Sequence, residues 1–381
     1  MKNIYKIILN KRHTISFILI LFLPLLLLVT GTGKTGSTWE NKSKAPELFP
    51  EEGFQKGLEN FGNYFEKNFP FRRKMLYRRN YFYSKIFGVS PVERVIIGKN
   101  KWLFLKRLNE SGLEVDYSTS IDGFRKDELE YWFNTFYERY QFLKKRGIEL
   151  LIVIVPNKST VYTEYLPDSL QKVTGGIRAE ELTEYLLKNS DIQVLNLRAI
   201  LLNGKKDHQV YHRTDSHWTH FGAWLAYREI ILHLSQRYQG ALPFAFEEFP
   251  QKKIAGPSKA DLASMLALNE SFYKESFRRL FLPPGSDIGR SRLKNFKYKR
   301  VRTSVSINKK GYLPKAIVIH DSFGRGLKKY MSASFSEVIF LLDWGFNFFP
   351  DLIDKEQPAI VIYEIAERFF YRPIPVLSSK R

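Results

Sequence analysis

Cysteine is absent from this chain of 381 residues. That excludes disulfides, thiolate zinc sites and cysteine nucleophiles, and it leaves the redox compartment open. Acidic side chains are scarce as well: 39 Asp and Glu stand against 60 Lys and Arg, for a formal charge of +21. No internal repeat is visible. A Gly-x-Ser-x-Gly elbow is missing, so the common lipase arrangement is not indicated. The run Gly31-Thr32-Gly33-Lys34-Thr35 looks like a phosphate loop, but Leu28 occupies the place of its first glycine and no strand precedes it. With 44% hydrophobic and 15% aromatic residues, the chain has ample material for one large α/β domain plus appendages, and disorder is excluded for most of it.

Only one long apolar run is present, Ile15 to Val29, behind Lys2, Lys6, Lys11 and Arg12. At about 1.5 Å per residue it spans roughly 20–25 Å, short of a full hydrocarbon core. No clean small-x-small cleavage site follows. The run is therefore expected to be an uncleaved anchor, with a cleaved signal peptide as the alternative; the basic end would face the cytoplasm and the rest would be exported. Export argues against nucleic acid as the partner of the positive charge. The dense basic run 290–300 reads as a solvated loop, or as attraction to an anionic surface.

The expected organisation is 1–30 as basic end and anchor or signal, 31–94 as tether and helical lead-in, and 95–381 as the main domain. Leu58, Phe61 and Phe65 carry helical spacing within the lead-in. Residues 95–105 predict a hairpin around Gly98-Lys99-Asn100-Lys101. Helices are expected over 127–145, 178–188 and 221–238, and strands over 150–155, 192–197, 316–320, 337–342 and 359–363. This alternation predicts a parallel sheet flanked by helices. The stretch from 240 to 314 gives no clear periodicity.

Two short runs carry the chemistry. Tyr211-His212-Arg213-Thr214-Asp215-Ser216-His217-Trp218 contains an Asp-x-His pair, and Ile319-His320-Asp321-Ser322-Phe323-Gly324 places a serine beyond an apolar strand. A serine hydroxyl is a weak nucleophile until a histidine takes its proton and a carboxylate orients that histidine. In extended backbone, residues i and i+2 point the same way, so Asp215 can accept the His217 Nδ1 proton. Ser322 at a strand-to-helix turn would lie near free N–H groups able to hold an oxyanion. Asn157, after a strand end, is equally well a turn residue following Pro156 or a further side-chain donor to the oxyanion. Taken singly, each run is better matched by helix capping. His208, His212, His217 and His220 also crowd one window, which raises a zinc site as a competing arrangement, though their spacing fits no zinc motif.

In order along the chain, Ile97-Gly98-Lys99-Asn100-Lys101-Trp102-Leu103-Phe104, the block from Val155-Pro156-Asn157-Lys158 to Leu166-Pro167, Arg213 to Thr219, Asp261-Leu262-Ala263 and Asp321-Ser322-Phe323 resemble the SGNH-hydrolase-like O-acetyltransferases of exopolysaccharide export, the AlgJ/AlgX-type group. The resemblance covers about 95–368. It implies an SGNH-like α/β fold, with Ser322 as nucleophile, His217 as general base and Asp215 as orienting acid. It further implies an exported acetyltransferase, with a polysaccharide as acceptor, a multi-spanning membrane acyltransferase as donor and no cofactor. An esterase with the same residues and a non-catalytic polysaccharide-binding component are the alternatives. Two positions depart from the family pattern: Lys101 stands at a hairpin glycine, and His320 replaces a glycine before Asp-Ser.

Overall fold

A computed structural model of the chain describes residues 50–381, except 52, 69–71, 107–122, 171–176, 255–259, 269–272, 274, 292, 294–299 and 378–381, together with a few positions between 14 and 26. The chain divides into two units, Met1–Phe87 and Gly88–Arg381. Of the anchor expected over 15–29, residues 20, 21, 24, 25 and 27–29 lie outside the described residues. Among the described residues no helix is long and apolar enough to cross a membrane. In the first unit, α1 (Phe54–Asn68) and α2 (Arg72–Phe82) are helical. Phe61 and Phe65 stack one turn apart on α1, as their spacing predicted.

The second unit opens with the expected hairpin. Strands β1 (Val95–Ile97) and β2 (Leu103–Leu105) pair antiparallel, Val95 opposite Leu105. The turn forces Asn100 and Lys101 to φ of 52° and 62°. Lys101 thus occupies left-handed backbone where a glycine would carry no Cβ penalty.

Four helices and two strands follow: α3 (Lys126–Lys144), β3 (Glu149–Val155), the single turn α4 (Lys158–Val161), α5 (Ile177–Asn189), β4 (Gln193–Asn196) and α6 (Arg198–Gly204). Next comes α7 (His220–Ser235), whose N-cap is Thr219: its hydroxyl accepts the Gly222 N–H at 3.2 Å. The segment without clear periodicity contains β5 (Gln251–Lys253), α8 (Asp261–Met265), β6 (Arg278–Leu280), β7 (Ile288–Ser291) and β8 (Arg302–Asn308). The chain then runs through β9 (Ala316–His320), α9 (Gly324–Ser334), β10 (Glu337–Leu342), α10 (Pro350–Glu356) and β11 (Ile360–Ala366).

Seven strands form one sheet in the order β4-β3-β11-β9-β10-β8-β7. The first five are parallel, while β8 pairs antiparallel with β10, and β7 antiparallel with β8. The expectation of a parallel sheet is corrected to a mixed one. The physical reason is visible in β7: Gly289, Arg290 and Ser291 are exposed, so this edge strand lacks the apolar run by which buried strands announce themselves. By contrast β3, β9, β10 and β11 are buried almost throughout. Each Val, Ile or Leu they sequester contributes about 1.5–3 kcal/mol from apolar burial. These buried central strands make a firm base for groups mounted at their ends.

Candidate active site

In parallel α/β sheets, reactive groups collect beyond the carboxyl ends of the strands. Here Pro156, Asn157 and Lys158 leave β3, Asp321 and Ser322 leave β9, and Glu367 and Arg368 leave β11. Register aligns these exits, since Val155 pairs with Ala366 and Glu364 with His320. The loop 211–218 lies across them, closed by a bridge between Tyr211 and Trp218.

Asp215 and His217 meet as the sequence predicted. The His217 Nδ1 lies 2.7 Å from Asp215 Oδ1, and the His217 backbone N–H donates to the same oxygen at 2.9 Å. Asp215 Oδ2 accepts the Asp261 N–H at 2.8 Å. Burial pushes the Asp215 carboxyl pKa up, but the His217 hydrogen bond and charge, with the N–H groups of Asp261 and His217, outweigh it and hold the acid well below the usual range. With Nδ1 engaged, Nε2 is the nitrogen left for a nucleophile.

Ser322 is half-buried in the turn between β9 and α9. Among the described residues no hydrogen bond joins its hydroxyl to His217. The link between the two runs is Phe323, whose ring centroid lies 5.0 Å from that of His217.

The turn is held from behind by two buried acids. Asp321 Oδ1 accepts the Phe323 N–H at 2.7 Å, and Oδ2 accepts the Ala366 N–H at 2.9 Å. The Asp321 N–H donates to Glu364 Oε2 at 3.2 Å, and Gly324 also donates its backbone hydrogen to Glu364. Burial, and then the Asp321 charge, push the Glu364 carboxyl pKa well up. The helix-start donors expected to face an oxyanion, those of Phe323 and Gly324, are thus turned to these acids. Asn157 Nδ2, in contrast, is buried and has no partner.

His320 is fully buried. Its packing requires glycine at 324, where a Cβ would meet the imidazole Cγ at 2.4 Å. Burial lowers its pKa to about 3, which keeps it neutral.

Three residues that the sequence did not single out for a role, Lys158, Glu275 and Asp261, fix the Asp-x-His loop, and a fourth, Arg368, holds Asn157. Lys158 Nζ donates to the carbonyls of His212, Arg213 and Asp215 at 3.0, 3.3 and 2.8 Å. Trp102 and Phe104 of the hairpin lie 5.7 and 5.2 Å from the same ammonium. Burial pushes the Lys158 pKa down to about 7, against the attraction of Asp215, Asp261 and Glu275. Glu275 accepts the N–H groups of Arg213 and Thr214 at 2.9 and 2.8 Å and the Thr214 hydroxyl at 2.6 Å. Asp261 accepts the Ser216 N–H at 2.7 Å. Arg368, beyond β11, donates from Nε to Asn157 Oδ1 at 2.9 Å. Lys158 had a legible signal, a lysine three residues past the end of a buried strand. Glu275 had none, being isolated in the aperiodic segment.

The crowded histidines do not converge. His220 Nε2 bonds to the Arg278 carbonyl at 2.8 Å, His212 turns to Glu275, and His208 packs on Phe221. A metal-compatible grouping does exist in Asp215, His217 and Asp261, whose ligand atoms lie within 4.8 Å of one another. The shortest contact in it is the Asp215–His217 hydrogen bond, which uses the histidine nitrogen that faces both carboxylates.

Residues 95–280 match the family described as SGNH hydrolase-like domain, acetyltransferase AlgX. A Pseudomonas syringae pv. tomato protein named probable alginate O-acetylase AlgJ is 29% identical over 184 residues, which is 47% of this chain and 42% of that protein. The chain therefore spans less than half the length of that curated relative. Among solved structures, Bacillus cereus PatB1 with a sulfonyl adduct aligns at a TM-score of 0.50 and 16% identity, covering 74% of this chain and 100% of that one. The O-acetyltransferase domain of Pseudomonas putida AlgJ aligns at 0.48 and 19% identity, over 75% and 95% of the two chains. The fold is of the SGNH-hydrolase-like α/β kind, as the motif blocks implied.

Proposed function

We propose that this protein is an O-acyltransferase that moves an acetyl group through Ser322 onto hydroxyls of an extracytoplasmic polysaccharide. His217 serves as general base and Asp215 orients it. The observation that carries this reading is the 2.7 Å contact between Asp215 and His217, whose ring packs on the residue after Ser322. Attack of Oγ on an acetyl ester forms the Oγ–C bond and sends the serine proton to His217 Nε2. The carbonyl electrons pass onto the oxyanion, and on their return the donor alcohol leaves with that proton. A sugar hydroxyl then repeats the sequence in reverse. Asn157 Nδ2 supplies a donor to the oxyanion. Catalytic hydrogen bonds often tighten only when substrate is bound, and this reading requires the Ser322 hydroxyl to meet His217 Nε2 at that stage.

The names of the aligned proteins, an alginate O-acetylase and an AlgX acetyltransferase, support acetyl transfer to a polysaccharide. The membrane anchor, the location outside the cytoplasmic membrane and supply of acetyl by a multi-spanning membrane acyltransferase belong to the same proposal. Incubation with p-nitrophenyl acetate, with and without oligosaccharides, tests it. Acetyl carried first on Ser322 and then on sugar supports transfer. Acetyl delivered only to water identifies an esterase, and unchanged acetylation by Ser322→Ala removes the nucleophile.

A further inference from the structure

Arg368 is buried at the carboxyl end of the sheet, and its guanidinium carbon lies 5.1 Å from the Phe323 ring centroid. Phe323 is thereby shared between Arg368 and His217. A buried arginine ordinarily finds a carboxylate, yet among the described residues none pairs with this one. Its Nε–H donates instead to a neutral amide, Asn157 Oδ1, at 2.9 Å. An arginine can only donate, so the atom it meets must be the amide oxygen. That contact dictates which way the Asn157 side chain faces: with Oδ1 turned to Arg368, the Nδ2 hydrogens are directed elsewhere. Nδ2 is buried and has no partner, an arrangement that costs free energy unless a ligand fills it.

Register places that donor near the nucleophile. Strand β11 separates β3 from β9, and Val155, Ala366 and the Asp321 carboxylate are tied at one level through pairing and the Ala366 N–H. Two strand spacings of about 4.8 Å put the exits of Asn157 and Ser322 about 10 Å apart. An asparagine side chain and a substrate carbonyl bridge such a span. The Asn157 backbone is fixed as well, its N–H donating to Glu367 Oε1 at 2.8 Å.

We propose that Arg368 is a positioning residue for acyl transfer, holding the Asn157 amide so that Nδ2 donates to the oxyanion formed when Ser322 attacks. This rests on the reading of Ser322 as nucleophile. Because the cation sits on Oδ1, it also polarises the amide and strengthens its N–H groups as donors. The role needs a donor of Arg368's reach, so a lysine replaces it in part and an apolar isostere does not.

The test is a cycle of Asn157→Ala, Arg368→Met and the double variant, with Arg368→Lys, all in the full chain. Turnover of p-nitrophenyl acetate gives kcat and KM, intact mass reads acetyl on Ser322, and thermal unfolding checks that each variant is folded. Loss of one oxyanion donor in Asn157→Ala should lower kcat about 10²–10³-fold. Arg368→Met should lower kcat roughly 10–100-fold with KM changed less than about threefold, and Arg368→Lys should recover part of the loss. In the Asn157→Ala background Arg368→Met should cost nothing further, because its effect runs through the amide. Equal losses in both backgrounds, an unchanged kcat in Arg368→Met, or a change in KM alone would overturn the proposal. Absence of any acetyl adduct on Ser322 in the unaltered protein overturns the nucleophile as well, which separates the two failures.

Discussion

Lys158 Nζ lies 2.8 Å from the carbonyl oxygen of Asp215, the residue whose carboxylate holds His217. One buried ammonium thereby joins the end of β3 to the Asp-x-His loop, with the aromatic pair of the hairpin at its side. Three sequence blocks far apart in the chain serve one joint.

Replacing Lys158 with Met should therefore damage both stability and turnover. Three carbonyls lose a charge-assisted donor, a loss on the order of 3 kcal/mol. Urea unfolding should show that decrease, and ester turnover should fall at least about tenfold as the loop loosens. Lys158→Arg should not restore either quantity, because a planar guanidinium does not match three converging carbonyls. An unaltered urea midpoint in Lys158→Met would end this account of the joint.

Glu275 makes stability depend on acid. Burial pushes its pKa up, but His212, Thr214 and Arg213 prevail and bring it from the usual 4.5 down to about 2. A carboxyl depressed in the folded state contributes stability that is complete above its unfolded pKa and is lost as pH falls through the folded value. For this shift linkage gives about 3 kcal/mol, lost between about pH 4.5 and pH 2. Glu275→Gln should flatten unfolding free energy across that window, and an identical acid dependence in the variant would contradict the assignment.

His320 and Gly324 are matched in size. Gly324→Ala sets a methyl group 2.4 Å from the imidazole Cγ, so overpacking of about 1–3 kcal/mol is expected. The strain falls beside Ser322, and kcat should drop with it. Adding His320→Ala makes room and should return much of the stability. Calorimetry on the single and double variants decides this; equal melting temperatures for both would remove the steric explanation.

Asp215→Asn keeps the shape of the loop but presents the wrong partner to His217 Nδ1. In a triad this lowers kcat by about 10⁴ through the wrong imidazole tautomer. Asp261, 3.7 Å from the same nitrogen, should not substitute, since it is committed to Ser216. Steady-state turnover with an acetyl ester measures the loss, and retention of more than about a tenth of kcat would deny Asp215 the orienting role.

Most of the sheet was legible because its strands are apolar without interruption, as Leu150 to Val155 and Ala316 to Ile319 illustrate. The hairpin and the long helices followed from turn residues and spacing. Strand β7 escaped because it carries Gly, Arg and Ser on an exposed edge, and β8, between β10 and β7, because Ser306 and Asn308 are buried while Ile307 is exposed, so no apolar alternation shows. Of the site, the Asp215–His217 contact was readable because two residues in extended backbone constrain each other locally.

What the sequence determined by itself, then, is what depends on neighbours along the chain: apolar strands, the long helices, the hairpin around 98–101, and the carboxylate beside its imidazole. Tertiary structure alone decided the rest. Lys158 reaches carbonyls 54 to 57 residues away, the Arg368–Asn157 contact spans 211 residues, and Glu364 and Ala366 meet Asp321 across 43 and 45. Such contacts exist only once the sheet sets β3, β9 and β11 side by side, for their energy comes from burial and desolvation, which no local pattern encodes.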